Sequence, residues 1–373
     1  MKKRLHIVCL DIPYPVDCKS AFIMFNEIKS LYERGVKITL HCFEYSRPGH
    51  DMMHSYCEHI YYYPKRKGHK GFSFSLPYIV SSRSDEHLVE NLQRDNDPIF
   101  VQGVHSTFFL TRLNTANRKV MVRLHCAEHS FYSNLADIDS SFINKFYYHN
   151  ESRLLKCYEK NLSAKATFAA LTEETKNNYE DQLGYKNIIS IPVVVPWNSI
   201  ESREGKGNFC LYHGNLSMPE NEKSAVWLLE NIFNKIDIPF VIAGKSPSSS
   251  LEKLSLLKSN TCLIANPSQS EMQDLISRAQ INVLPSYHSE SCNIKLINSL
   301  FCGRHCVVNE NMANDTMLRP LLHIADTAES FISVILQLMD KSFEEYDMKA
   351  RAKVLPQYYN NDQNVSKIMH QLF

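Results

Sequence analysis

The sequence has no apolar run near the ~20 residues that a membrane-spanning helix needs. None of its eleven cysteines falls in a C-x-x-C pair; the nearest approach to a metal-ligand cluster is Cys302, His305 and Cys306. A disulfide framework or zinc site is therefore not expected, and free thiols in a reducing compartment are. Charge of either sign is not in excess: the formal net charge is +1. That gives no field of the kind that draws nucleic acid. No internal repeat or low-complexity tract occurs. The D-x-D pair Asp137 and Asp139 lies in what reads as a surface helix or its cap and is discounted as a divalent-ion site. The basic start Met1-Lys2-Lys3-Arg4 is followed by a short apolar stretch that contains Asp11 and runs into Pro13 and Pro15. It reads as a first strand and its loop, not as a signal peptide.

What is present is an ordinary globular composition over 373 residues, with 44% apolar and 22% charged residues. Single cores stop growing at ~250–300 residues, so two domains are expected. Leu5–Leu10 reads as a buried strand, Ala21, Phe25, Ile28 and Leu31 as one face of a helix, and Val36–Phe43 as a second strand. Strand, helix, strand at this spacing predicts a βαβ unit and a parallel sheet. Residues 98–101, 119–124 and 166–171 add strands, residues 144–162 a helix, and Gly103–Ser106 a loop. The stretch 191–208 has Pro192, Pro196, Gly205 and Gly207 and little periodicity, which suits a linker. A second α/β series follows, with strands at 208–213, 239–243, 261–264, 281–284 and 306–309 and helices at 222–233, 270–279 and 292–301.

Open α/β sheets bind ligands where strands end in small residues. The second half offers Gly214-Asn215, Gly244-Lys245 and Leu284-Pro285-Ser286. A helix starting near Cys292 would aim its free N–H groups at an anion, and Lys295, one turn in, adds a full charge. A diphosphate fits that description.

The stretch from Glu290 to Gly303, preceded by Pro285-Ser286, resembles the donor motif of family-4 (group 1) GT-B glycosyltransferases. Residues 209–215 and 241–247 resemble the same family's first and second glycine turns, in the family's order, and Arg123–His129 follows a strand where the family has a His beside the donor sugar. The resemblance implies a GT-B fold: two Rossmann-like α/β domains facing each other across a cleft. Residues 1–195 would be the acceptor side and 206–349 the nucleotide-sugar donor domain, with helices from about 350 to 373 packing back on the first. It also implies site roles. Glu290 would hydrogen-bond the donor sugar, Asn293 and Ile294 would hold a phosphate through backbone N–H groups, and Gly214 and Asn215 would leave room for the diphosphate. Asn298 stands where the family has a Glu that grips the ribose; an amide bonds ribose hydroxyls but brings no charge. Lys223 or Lys245, next to Gly244, would supply a further cation, and the backbone around Asn266 would meet the base.

His125 is the catalytic candidate the resemblance assigns, with Glu128 or His129 as an acceptor-side base and His105 as a further loop candidate. The expected activity is transfer of a sugar from a UDP- or GDP-sugar to a glycan or lipid-linked saccharide, with retention, without a metal and without a further cofactor. The rivals are a GT-B-fold nucleotide-sugar 2-epimerase and a non-catalytic nucleotide-sugar-binding protein. The run Tyr61–Lys70 reads either as a solvated loop or as a contact for anionic lipid through Lys65, Arg66, Lys67 and Lys70. The expected location is the cytoplasm, including the inner face of its membrane.

Overall fold

The computed structural model describes residues 3–44, 49–138, 141–287 and 292–373. It divides into two compact units, residues 1–196 with 361–373, and residues 197–360. The first unit contains β1 (Arg4–Cys9), α1 (Lys19–Glu33), β2 (Lys37–Glu44), β3 (His59–Pro64), α2 (Tyr78–Ser81), α3 (Glu86–Leu92), β4 (Ile99–Gln102), β5 (Val120–Leu124), α4 (Glu128–Ile138), α5 (Phe142–Leu162), β6 (Thr167–Ala170), α6 (Glu173–Leu183) and β7 (Ile188–Ser190). Its seven strands run parallel in the order β3-β2-β1-β4-β5-β6-β7.

Both faces of this sheet are covered, so its strands are mostly apolar and their pleat sorts side chains between two cores. Leu5, Ile7 and Cys9 of β1 enter one core with Met24, Ile28 and Leu31 of α1. Val8 enters the other with Val101, Val122 and Phe168. His6 of β1 and His41 of β2 are buried polar exceptions: His6 Nδ1 lies 2.9 Å from His41 Nε2, and His41 Nδ1 lies 2.8 Å from the Tyr63 hydroxyl. That contact corrects the loop reading of Tyr61–Lys70. Tyr61, Tyr62 and Tyr63 lie in β3, pairing with β2, and only the basic half leaves the sheet. Aromatic residues fit a half-buried pleated surface, which outweighs the basic residues that follow.

The second unit contains β8 (Cys210–Asn215), α7 (Pro219–Leu228), β9 (Phe240–Lys245), α8 (Ser249–Leu256), β10 (Thr261–Ala265), α9 (Gln269–Arg278), β11 (Ile281–Val283), α10 (Ile294–Cys302), β12 (His305–Val308), β13 (His323–Ile324), α11 (Ala328–Asp340) and α12 (Glu345–Tyr358). Its strands are parallel in the order β10-β9-β8-β11-β12-β13. In each sheet the order reverses beside the unit's first strand, which is the doubly wound Rossmann arrangement with its ligand crevice at the reversal.

α10 forms because Leu296, Ile297, Leu300 and Phe301 fall on one buried side. It stops at Gly303, where an added Cβ would lie 2.4 Å from Asn282 Nδ2. Buried Arg351 holds α12 to the end of α10 by donating to the carbonyls of Leu300 (2.9 Å) and Gly303 (2.6 Å). α12 therefore belongs to the second unit. The last helix, α13 (Asn361–Leu372), belongs to the first, where Val365, Ile368 and Leu372 join the core that contains α1.

Candidate active site

In the second unit, β11 and β8 lie on either side of the strand-order reversal. β8 ends at Gly214-Asn215 and pairs in register with the end of β9, Gly214 opposite Gly244 and Asn215 opposite Lys245. A Cβ on Gly244 would lie 2.1 Å from the Gly214 carbonyl oxygen, so only glycine lets the two strand ends approach this closely. The next turn is anchored on the same residue. Asn266 N–H donates to the Gly244 carbonyl at 2.8 Å, and the Asn266 side chain accepts from Ser246 N–H at 2.8 Å. Both Ser246 and Asn266 have positive φ, at 49° and 52°. Left-handed backbone at two non-glycine residues is strain held at a strand-end loop.

α10 follows β11 and presents its first turn at the same end. Asn293 is its N-cap residue but makes no side-chain cap bond. Asn293 Nδ2 is buried without a partner, and so is Asn298 Oδ1 on the second turn. Asn293 and Asn298 thus carry two buried polar atoms without a protein partner on the opening turns of one helix, where buried polar atoms are nearly always paired. Lys295 donates from Nζ to Asn221 Oδ1 at 3.0 Å and lies 5.3 Å from the Tyr212 ring centroid. Asn221 in turn donates to the Asn215 carbonyl at 3.0 Å. One asparagine thus ties the end of β8 to the first turn of α10. Behind it, His213 Nε2 lies 3.0 Å from Ser299 Oγ, and burial, with Lys295's charge second, pushes His213 down to about 3. The imidazole is therefore neutral and adds no competing charge.

In the first unit, the strand ends beside the reversal carry a buried relay. Arg123 of β5 pairs with Glu27 of α1 at 2.8 Å, both fully buried, and also donates to the carbonyls of Ile191 (2.6 Å) and Pro192 (3.1 Å). Glu27 accepts from Gln102 Nε2 at 2.6 Å, and Gln102 Oε1 lies 3.1 Å from His125 Nε2. Since the Gln102 amide is spent on Glu27, its carbonyl faces His125, which must carry its proton on Nε2. Burial and the Arg123 charge push His125 down to about 3, so it works as a neutral, orientationally fixed imidazole.

Glu128 opens α4, and burial, with Glu159 nearby, pushes its carboxyl up to about 7. His105 Nδ1 stands 3.6 Å from Glu128 Oε1, and burial lowers its pKa well below the usual range. His129 is differently placed. Its Nδ1 lies 2.6 Å from Glu159 Oε2 and its Nε2 lies 3.2 Å from Gln182 Oε1. Both ring nitrogens of His129 thus face protein acceptors, Glu159 in the interior and Gln182 at the surface.

Residues 207–341, nearly the whole of the second unit, match the family model described as "Glycosyl transferases group 1". An uncharacterized 44.6 kDa protein in the cps region of Klebsiella pneumoniae is 23% identical over 316 residues, 80% of each chain. A TarM mutant from S. aureus, solved in complex with fondaparinux, alpha-GlcNAc-glycerol and UDP, superposes with a TM-score of 0.69 at 11% identity over 99% of both chains. Sucrose-phosphate synthase from Thermosynechococcus elongatus gives 0.67 at 11% identity, over 98% of this chain and 94% of that one. This chain is a glycosyltransferase of the GT-B fold.

Of the residues expected in this glycosyltransferase's donor site, the structure brings Gly214, Asn215, Gly244 and Asn266 together through backbone contacts, and joins Lys295 to Asn215 through Asn221. Ile294 opens α10 and Asn293 caps it. Lys245 is exposed at the end of β9, and Lys223 lies 4.3 Å from the Tyr287 ring centroid. Glu290 lies outside the described residues. The helix begins two residues later than expected, at Ile294. Sequence reasoning missed Asn221, Glu27 and Gln102. Glu27 had a readable signal, a carboxylate on the same helical face as Met24, Ile28 and Leu31. Asn221 had none, since its role depends on two strands and a helix meeting.

Proposed function

We propose that this glycosyltransferase moves a sugar from a UDP- or GDP-sugar, held by the second unit, to a saccharide acceptor held by the first. The observation that carries the reading is the pair of unpartnered buried atoms, Asn293 Nδ2 and Asn298 Oδ1, on the turns of α10 that also carry Lys295. The first-turn N–H groups of α10 and the Lys295 ammonium would face the diphosphate, whose negative charge grows as the sugar leaves. Asn298 would accept from a ribose hydroxyl. Asn293 would donate to a phosphate or sugar oxygen. The Gly214–Gly244 approach leaves backbone, not side chains, beside the diphosphate. Glu290 remains the candidate for the donor sugar's hydroxyls.

On the acceptor side, His125 and Glu128 are the candidate reacting groups. A Glu128 carboxyl that titrates near 7 suits exchange of a proton with an acceptor hydroxyl. Retention of configuration, charge stabilisation by Lys295 and the helix rather than by a metal, and a polysaccharide or lipid-linked acceptor complete the reading. Lys65, Arg66, Lys67 and Lys70 would then lie toward an anionic membrane face.

The test is a thermal-shift series with UDP, GDP, ADP and CDP, followed by transfer assays with the sugar forms of the nucleotide that binds. A nucleotide at about 100 times its Kd should stabilise the chain by about 2.7 kcal/mol. Absence of a shift with every nucleotide would overturn the reading. Donor turnover that needs no acceptor and yields an epimer would move the chain to the epimerase class. An inverted product would remove retention alone.

A further inference from the structure

We propose that the exposed face of α5 is a docking surface for an anionic lipid bilayer. The proposal deepens the membrane contact proposed above, rests on that reading, and moves its centre from residues 65–70 to α5. Phe142, Phe146, His149, Arg153, Lys156 and Lys160 follow one another at intervals of four, three, four, three and four residues, and all six are exposed. An alternation of three and four keeps residues on one side of a helix. α5 therefore presents a single stripe, apolar at its start and basic along the rest. From Phe142 to Lys160 it extends ~27 Å at 1.5 Å per residue.

Three features separate this stripe from an ordinary solvated helix face. The first is how far its apolar groups stand out: Phe142 is 86% exposed, Ile143 80% and Phe146 75%. Side chains of this size are normally buried, and a group of them on two consecutive turns marks an interaction surface. The second is how charge is sorted. The two carboxylates of α5, Glu151 and Glu159, are both buried, whereas Arg153, Lys156 and Lys160 are all exposed. Glu159 is turned inward to His129 and Tyr179, and Glu151 accepts the Tyr78 N–H at 2.8 Å. The outward face is thus cationic even though the chain as a whole is close to neutral.

The third feature is what that inward contact brings near. Glu151 ties α5 to the segment that carries Phe72 and Phe74, which are 51% and 91% exposed with ring centroids 5.0 Å apart. The same segment follows the basic residues Lys65, Arg66, Lys67 and Lys70, and Gly68 N–H donates to the Tyr78 hydroxyl at 3.1 Å. Exposed aromatics beside exposed cations fit one partner chemistry: anionic headgroups over an acyl boundary into which phenyl rings can insert. A protein partner of this chain's own kind would meet cation with cation on this face.

The test uses the full chain in vesicle co-sedimentation, with vesicles of phosphatidylcholine alone and of phosphatidylcholine mixed with phosphatidylglycerol. The chain should partition to the mixed vesicles, weaken as salt rises, and partition little to the neutral ones. Phe142→Ser with Phe146→Ser should lower partitioning at least tenfold, with the thermal midpoint unchanged because both side chains are exposed. Arg153→Glu, Lys156→Glu and Lys160→Glu together should lower it more than about a hundredfold, at about fivefold per cation removed. The UDP thermal shift is measured on the same samples. A variant that loses vesicle binding and keeps the nucleotide shift supports docking by α5, and a wild-type chain that shifts with UDP but ignores both vesicles overturns docking while leaving the transferase reading intact. Vesicle binding unaffected by either variant also overturns it. Concentration-dependent self-association abolished by the phenylalanine variant, without vesicle binding, would assign the face to a second copy instead.

Discussion

Lys295 Nζ reaches from the first turn of α10 to Asn221 Oδ1 at 3.0 Å, and through Asn221 it is coupled to the carbonyl of Asn215. The ammonium is thereby held at the end of β8, where a diphosphate would lie. Lys295→Ala is expected to lower kcat/KM by about 10²–10³ through lost charge stabilisation at the leaving group. The thermal midpoint of the ligand-free chain should barely change. Steady-state transfer assays beside a melting curve check this, and wild-type turnover in the variant would take Lys295 out of the site.

Asn298 makes the opposite kind of prediction for stability. Its buried Oδ1 has no partner in the free chain, so it costs stability that a ligand would recover. Asn298→Ala should leave the free chain as stable as before or more so, and weaken nucleotide binding by about 1–3 kcal/mol. Calorimetric titration with the nucleotide that binds reads the second effect. Unchanged affinity would show that the orphan has another cause.

Gly244 tests the strand approach. A methyl group there meets the Gly214 carbonyl oxygen at 2.1 Å and Leu216 Cγ at 2.7 Å. Gly244→Ala should destabilise the chain by about 1–3 kcal/mol, because strand ends must move apart to admit it. Denaturant unfolding measures this, and a neutral result would mean that the two strand ends separate freely.

Glu128 should leave a signature in the pH dependence of stability. Its carboxyl is raised from 4.5 to about 7 by burial and by Glu159. The folded chain thus favours the protonated form. That preference is fully present below pH 4.5 and is lost as pH rises through about 7. Across this window wild type should lose about 3 kcal/mol relative to Glu128→Gln. Urea midpoints of the two proteins at stepped pH give the comparison, and parallel curves would refute the shift. If Glu128 also exchanges a proton with the acceptor, transfer by wild type should show a limb near the same pH that Gln removes.

The buried His129–Glu159 pair has a window of its own. Burial alone lowers His129, but the hydrogen bond and charge of Glu159 outweigh it and raise the pKa above 6.5. The pair's contribution is therefore full below pH 6.5 and fades as pH rises through the folded value. Glu159→Gln should cost about 3 kcal/mol at the acidic end of that window and progressively less above it. A cost that does not vary with pH would mean that His129 is neutral throughout.

Much of the architecture was legible in the chain's own patterning. The strands β8 to β12 of the second half are expected within a few residues of where they stand, since buried parallel strands read as short apolar runs bounded by breakers, whereas the two-residue β13 is too short to read this way. β3 was not legible, because Tyr61–Tyr63 are followed at once by a basic run and their burial depends on β2 lying beside them. The partner of His129 was not legible for a similar reason. A His one residue past a Glu at a strand end resembles a reacting group, and only α5, coming from thirty residues further on, supplies the Glu159 that pairs with it.

The sequence by itself determined the class of this protein: two α/β halves, and a helix start with Lys295 and Asn298 after the fourth strand of the second. Those features are local, since propensity, periodicity and breaker residues act within a few positions of one another. The tertiary structure alone decided which of these groups meet. Asn221 joins Lys295 to Asn215, Gly244 is forced to be glycine by a carbonyl from another strand, and Glu27 fixes the tautomer of His125 through Gln102. Each depends on residues distant in sequence, and contact between distant residues is set by sheet order and packing, not by any pattern along the chain.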